Sequence, residues 1–269
     1  MSGIGFLLSR YPDKIENNNY VNIKENGDTN YYLHIINNTK KQIKNVYVST
    51  YLNYKQIKCI EDDNISIKEG FTIQPLSHKV IKISLNVKDV PKGRQKLLIS
   101  ISSYNIEDIR NSCNLQTNLL FDIINYSHET IDNEVIYYKD FVTMDLDIRN
   151  GIYINKSIVG NRLNESAIIK GHVGEKKVLP VIIAGNDSDS DYCIFFSINN
   201  NQINVNNDMS RLFLKVNKET SIMGYLEFNL PNRPGTYSLD GTLVTNPLSK
   251  LDQKTTASKS NVVTLLVEE

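Results

Sequence analysis

Alternation of apolar and polar residues with a period of two constrains this chain more than any other feature. "KVIKISLNV" (79–87), "RLFLKVN" (211–217) and "IMGYLEFNL" (222–230) place every second side chain on one face, as half-buried β-strands do. "TMDLDI" (143–148) does the same, with Met144, Leu146 and Ile148 facing one way and Thr143, Asp145 and Asp147 the other. Turn chemistry separates the runs, in "KENGDTN", "INNTKK", "GNDSDSD", "KGRQ" and "NRPG". No window sustains a helical period for three turns. Many short strands between turn signals predict an all-β protein of sandwich type.

Bulk composition narrows the function classes. With 40% hydrophobic and 22% charged residues in 269, the chain has the make-up of a globular protein able to bury a core. Thirty basic residues balance thirty acidic ones, so no global field draws the chain to nucleic acid or to an anionic membrane. No run approaches the ~18 apolar residues of a membrane span. The start, "MSGIGFLLSRYPDK", lacks a basic n-region and a small-residue cleavage site, and is not read as a signal peptide. The protein is therefore expected inside the cell, or outside it or at the cell surface if a signal was removed.

Four collinear matches suggest a duplicated unit. "LNVKDVPKGRQKLLISI" (85–101) resembles "LEFNLPNRPGTYSLDGTL" (226–243), and upstream "LNYKQIK" (52–58) echoes "INNNQIN" (198–204). "YYLHIINNTKK" (31–41) parallels "LPVIIAGNDSD" (179–189), and "TNLLFDII" (117–124) parallels "SNVVTLLV" (260–267). The division expected is 1–126 and 127–269, each half an ordinary domain size. Residues 126–140, "YSHETIDNEVIYYKD", show no clean period. A linker, a short helix and an extra strand all remain open there.

In strand count and turn placement the chain resembles the tandem immunoglobulin-like and fibronectin-type-III-like modules of bacterial proteins. The resemblance is carried by "NNT" and "GND" after an early strand, by "IQPLSHKVIKISL", and by the corner "PGTYSL" (234–239). It implies two tandem antiparallel β-sandwiches, and it implies a role for that corner. A Tyr near the start of the penultimate strand bonds back to the backbone, and an inward residue two positions on packs the core. Gly235, Tyr237 and Leu239 fit these places; the first copy keeps Gly93 and Leu97 but has Gln95 in place of the Tyr.

Chemistry-bearing residues are sparse. Asp187, Asp189 and Asp191 in "NDSDSD" alternate like the first ligands of a calcium loop. Tyr192 at the sixth place and Ile198 at the twelfth break the EF-hand pattern, and the first copy has Lys40 and Lys41 there. The run reads as a turn, so no metal and no other cofactor is expected. Glu61, Asp62 and Asp63 read as a solvated loop, and Asp145 with Asp147 as the wet face of a strand. None of His34, His78, His128 and His172 lies at helical or hairpin spacing from another. No nucleophile elbow, phosphate loop or dinucleotide turn occurs. Cys59, Cys113 and Cys193 are no disulfide framework; Cys193 in "YCIFFSI" reads as a small core residue. Two free thiols are favoured over a Cys59–Cys113 bridge. Asparagine, about one residue in eight, reads as compositional bias and makes sequons at Asn37, Asn64, Asn125, Asn155, Asn164 and Asn186 expected by chance. Tyr51, Tyr54, Tyr137 and Tyr138 are candidate exposed contacts for a sugar or a protein. The absence of Trp argues against a sugar platform.

The reading is a non-enzymatic structural or protein-interaction module of a bacterial surface or larger assembly, with a protein partner and without nucleic acid. A carbohydrate-binding accessory module is the first alternative. An enzyme with its site at an inter-domain groove is the second.

Overall fold

The computed structural model describes residues 3–14, 20–23, 28–58, 70–86, 90, 93–103, 116–125, 137–144, 151–154, 156–159, 162–165, 168–185, 189–218, 220–248 and 255–269. Every regular element among them is a β-strand. The chain falls into two compact units, Met1–Asn133 and Glu134–Glu269. Both the boundary and the seam expected after Asn125 lie next to or within 126–136, outside the described residues.

The first unit holds β1 (Ile4–Ser9), β2 (Tyr20–Ile23), β3 (Asp28–Asn37), β4 (Ile43–Leu52), β5 (Lys55–Ile57), β6 (Phe71–Ile73), β7 (Ser77–Asn86), β8 (Gly93–Ser103) and β9 (Gln116–Asn125). They form a small sheet, β1-β3-β7, and a larger one, β2-β9-β8-β4-β5, with β6 paired to β4. Tyr31, Leu33 and Ile35 of β3 share one core with Ile81, Ile83 and Leu85 of β7 and with Leu97, Ile99 and Ile101 of β8. Their spacing of two is the alternation seen in the sequence.

In the second unit β10 (Val142–Met144), β11 (Gly151–Ile154), β12 (Lys156–Val159), β13 (Arg162–Glu165), β14 (Ile168–His172), β15 (Lys176–Ala184) and β16 (Ser190–Ile198) come first. They are followed by β17 (Asn201–Ile203), β18 (Leu212–Val216), β19 (Ser221–Asn229), β20 (Gly235–Thr245), β21 (Thr256–Lys259) and β22 (Val263–Glu268). The small sheet is β10-β19-β15-β11 and the large one β14-β22-β20-β16-β17, with β18 on β16 and β21 on β20; β12 and β13 pair separately. One core joins Val181, Ile183, Ile194, Phe196, Leu226, Phe228, Leu239, Leu243 and Leu265.

Two features depart from a simple antiparallel, half-buried sandwich. Each large sheet has a parallel pair at its edge, β2 with β9 and β14 with β22. The central strands of the large sheets are also buried on both faces. Leu98, Ser100 and Ser102 are buried alongside the inward Leu97, Ile99 and Ile101, and Asp240, Thr242 and Val244 alongside Leu239 and Leu243. That is why "KLLISIS" and "YCIFFSI" read as continuous runs, as strands covered on both sides do.

The asparagine excess has a structural use that composition concealed. Ten non-glycine residues among those described have positive φ, Asn45, Asn53, Asn199, Asn200, Asn206, Asn207, Asn246 and Asp208 among them. Asn and Asp tolerate this left-handed region best because their short polar side chains bond locally. Asn53–Tyr54 and Asn199–Asn200 turn β4 into β5 and β16 into β17, each with two positive φ values, as two-residue hairpins of matched twist require.

Candidate functional site

The corner at 232–239 is a scaffold element. Tyr237 donates from its hydroxyl to the Arg233 carbonyl at 2.9 Å, and Leu239 is fully buried in the core. Gly235 adopts a φ of +150°, which a side chain would strain. The first unit lacks this bond and uses another. Asn53 donates through its side-chain amide to Gln95, and its Oδ1 accepts from Lys96 N at 3.0 Å. In the second unit Asn199 Oδ1 accepts from Ser238 N at 2.8 Å and from Ser238 Oγ at 3.1 Å. Both hairpins therefore clamp the neighbouring long strand.

Of the acidic run, Asp187 lies outside the described residues. Asp189 accepts from Lys218 N at 2.7 Å and closes a turn. Asp191 sits on β16 opposite Lys215 and accepts from the Tyr137 hydroxyl. Burial chiefly, and the Asp191 carboxylate next, push the Tyr137 phenol above its ordinary range. Among the described residues no three His, Cys, Asp or Glu side chains cluster in a way that could hold a metal ion. Glu61, Asp62, Asp63, Asp145, Asp147, His128, Cys59 and Cys113 lie outside the described residues. Cys193 is buried and free, and burial pushes its thiol well up, away from reactivity. Asn37 and Asn125 are committed to backbone bonds, Asn37 Nδ2 to Lys41 O and Gln74 O, Asn125 Nδ2 to Val90 O.

The proposed contact tyrosines need correction. Tyr51, on the outer side of β4, and Tyr54, in the turn that follows it, are both buried. Tyr137 and Tyr138 are half-buried and pack on the second unit. Tyr137 bridges Phe213, with Lys215 Nζ 5.6 Å from its ring, and Tyr138 accepts from Asn206 Nδ2 at 2.9 Å. Burial raises the Tyr138 phenol above its usual range.

An open surface was missed instead. On the outer face of the small sheet of the second unit, Val142 is 68% exposed, Tyr225 56% and Val178 51%. Cross-strand register makes them neighbours. Val142 lies opposite Met223, Tyr225 opposite Pro180, and Val178 opposite Glu227. Met223 and Pro180 are half-buried, so the row is continuous across three strands. Lys176 and Glu227 pair at 2.6 Å at one end. The period of two in "IMGYLEFNL" marks the strand, but it does not distinguish Met223 and Tyr225 as an apolar strip on the wet face.

Two polar arrangements also escaped the sequence. His34 and His78, 44 residues apart, meet across the β3–β7 pair, Nδ1 to Nε2 at 2.9 Å, with rings stacked at 5.0 Å. Sequence spacing could not show this, because antiparallel pairing brings distant residues together. Asp240 and Lys259 form an ion pair at 2.7 Å with side chains 0% and 4% exposed. Ser197 Oγ and Thr242 Oγ1, buried on β16 and β20 at diagonal positions, make no hydrogen bond.

No protein-family model matches the chain, and no curated protein matches it. Solved structures align over most of its length with little identity. A red sea bream transglutaminase shows 11% identity and a TM-score of 0.26 over 99% of this chain and 31% of its own. A putative membrane anchored protein from Corynebacterium diphtheriae shows 10% identity and 0.26, over 98% and 59%. CBD12 from CALX1.2 shows 9% and 0.25, over 98% and 100%. The chain thus spans about a third of the transglutaminase and under two thirds of the membrane anchored protein. Scores this low carry no weight for function, and the all-β architecture rests on the strands themselves.

Proposed function

We propose that the chain is a tandem pair of immunoglobulin-like modules, arisen by duplication, that serves as a non-enzymatic structural or protein-interaction protein of a bacterial surface or larger assembly. The nine strands β1–β9 of the first unit have counterparts in the same order in the second (β11, β14–β20 and β22), to which the second adds β10, β21 and the β12–β13 pair; this supports the module assignment. The Tyr237 corner supports it further. The apolar row Val142–Met223–Tyr225–Pro180–Val178 carries the interaction reading. An exposed, continuous apolar strip with a charged rim suits a protein partner, with Tyr225 as the anchoring aromatic.

A photo-crosslinking residue at position 225 tests the reading in a lysate of the native host. A discrete protein adduct is expected, lost in the Val178→Lys/Val142→Lys variant whose melting temperature stays at the wild-type value. Adducts formed equally from position 233 in the corner, or none with protein at all, overturn it.

A further inference from the structure

We propose that the His34–His78 pair is an acid-released latch holding the chain segment after β1 against strand β3. The segment folds back on itself. Ser9 Oγ donates to Lys14 O at 2.5 Å, and Tyr11 N donates to Ser9 Oγ at 3.2 Å. That turn presents the Tyr11 carbonyl to His34 Nε2 at 3.1 Å. His34 is fully buried on the outer side of β3, opposite Leu7 of β1 and Val80 of β7. It ties the segment to β3, as Ser9 Oγ ties it to β1.

Proton counting shows why acid opens the latch. A carbonyl only accepts, so His34 Nε2 carries the hydrogen and neutral His34 offers its Nδ1 lone pair. His78 Nε2–H donates into that lone pair across 2.9 Å. One further proton can enter at His78, which is exposed, and the bond survives as a charge-assisted one. A second proton has no place. Between two nitrogens 2.9 Å apart it would set N–H against N–H, and it would place two cations in rings stacked at 5.0 Å. The folded pair therefore holds one proton where the released pair holds two.

The surrounding charges leave this arithmetic intact. β1 carries no ionisable side chain. Beyond it come Arg10, Tyr11, Asp13 and Lys14; Lys82 shares the outer face of β7, and Tyr32 and, further along, Asp28 belong to β3. Asp13 and Asp28 are the only acidic groups in this set. Burial first, and the His34 charge second, lower the His78 pKa. A His whose folded pKa is depressed binds protons more readily when released. Stability is thus intact above the free value of about 6.5 and declines as pH falls below it.

Hydrogen exchange of residues 4–14 in the full chain tests the latch, compared between pH 7.5 and pH 5.0 after correction for intrinsic exchange. One extra proton on release shifts an opening equilibrium at most tenfold per pH unit below about 6.5, so protection in this segment should fall by about ten- to thirtyfold at pH 5.0. β20 of the second unit should show no such loss. His78→Gln can turn either its amide N–H or its carbonyl toward His34, so no proton is excluded from the contact, and its residues 4–14 should be indifferent to pH across the same range. His34→Gln should behave likewise if it folds. Wild-type protection that does not change between the two pH values, or a loss of equal size in His78→Gln, overturns the proposal.

Discussion

The two units close the corresponding edge of their small sheets in different ways. In the first, β7 presents ten residues, and Ile81 and Ile83 fill the core beneath it with their own side chains. In the second, β19 has Gly224 at an inward position, and Phe141, reached just before β10 begins, fills the space. A Cβ on Gly224 would lie 2.8 Å from the Phe141 ring, which also meets Tyr138 edge-on with centroids 5.9 Å apart. At this edge the first unit is filled by β7 itself, and the second by an aromatic from the segment just before β10. Their outer ion pairs differ in the same sense. Lys96 and Asp122 at 2.9 Å keep side chains 11% and 16% exposed, against 4% and 0% for Lys259 and Asp240.

Breaking the ion pairs should expose the contrast most strongly. Lys259→Met leaves Asp240 charged in a dry site and should cost about 3–5 kcal/mol in urea denaturation followed by circular dichroism. Lys96→Met, with its partner nearer water, should cost about 1–2 kcal/mol, between buried and exposed pairs. Equal losses would show that burial is not what separates the two units.

Phe141→Ala should cost about 2–3 kcal/mol, less than a fully buried Phe because its ring is half-buried. Gly224 supplies a sharper form of the test. With Phe141 present, Gly224→Ala should destabilise by about 1–3 kcal/mol through overpacking. In the Phe141→Ala background the same change meets no ring and should stabilise by about 0.4–1 kcal/mol. A double-mutant cycle without that change of sign would mean that the ring does not fill the Gly224 position.

The corners give the smallest pair. Gln95→Ala removes the acceptor for the Asn53 amide at a buried position and should cost about 1–2 kcal/mol. Tyr237→Phe should cost only about 0.5 kcal/mol, because water can replace a bond made at an exposed hydroxyl. A larger loss at Tyr237 than at Gln95 would reverse the ranking of the two clamps.

Much of the architecture was legible without coordinates. Alternation in "IMGYLEFNL" and "KVIKISLNV" marked β19 and β7, because one buried face forces a period of two. "NRPGTYSL" marked its corner, since a Gly at an unusual φ and a Tyr hydroxyl act within a few residues of each other. Those are local effects, and a sequence states local effects directly. What the tertiary structure alone decided depends on pairing between distant strands. It buried Tyr51 by covering the second face of β4, and it set Asp240 beside Lys259 on a neighbouring strand. It brought His78 to His34 across 44 residues, and it gave Gly224 its meaning by seating Phe141 against it. Register, more than residue type, decides which polar groups meet and which apolar ones stay exposed, and register is a property of the assembled sheets.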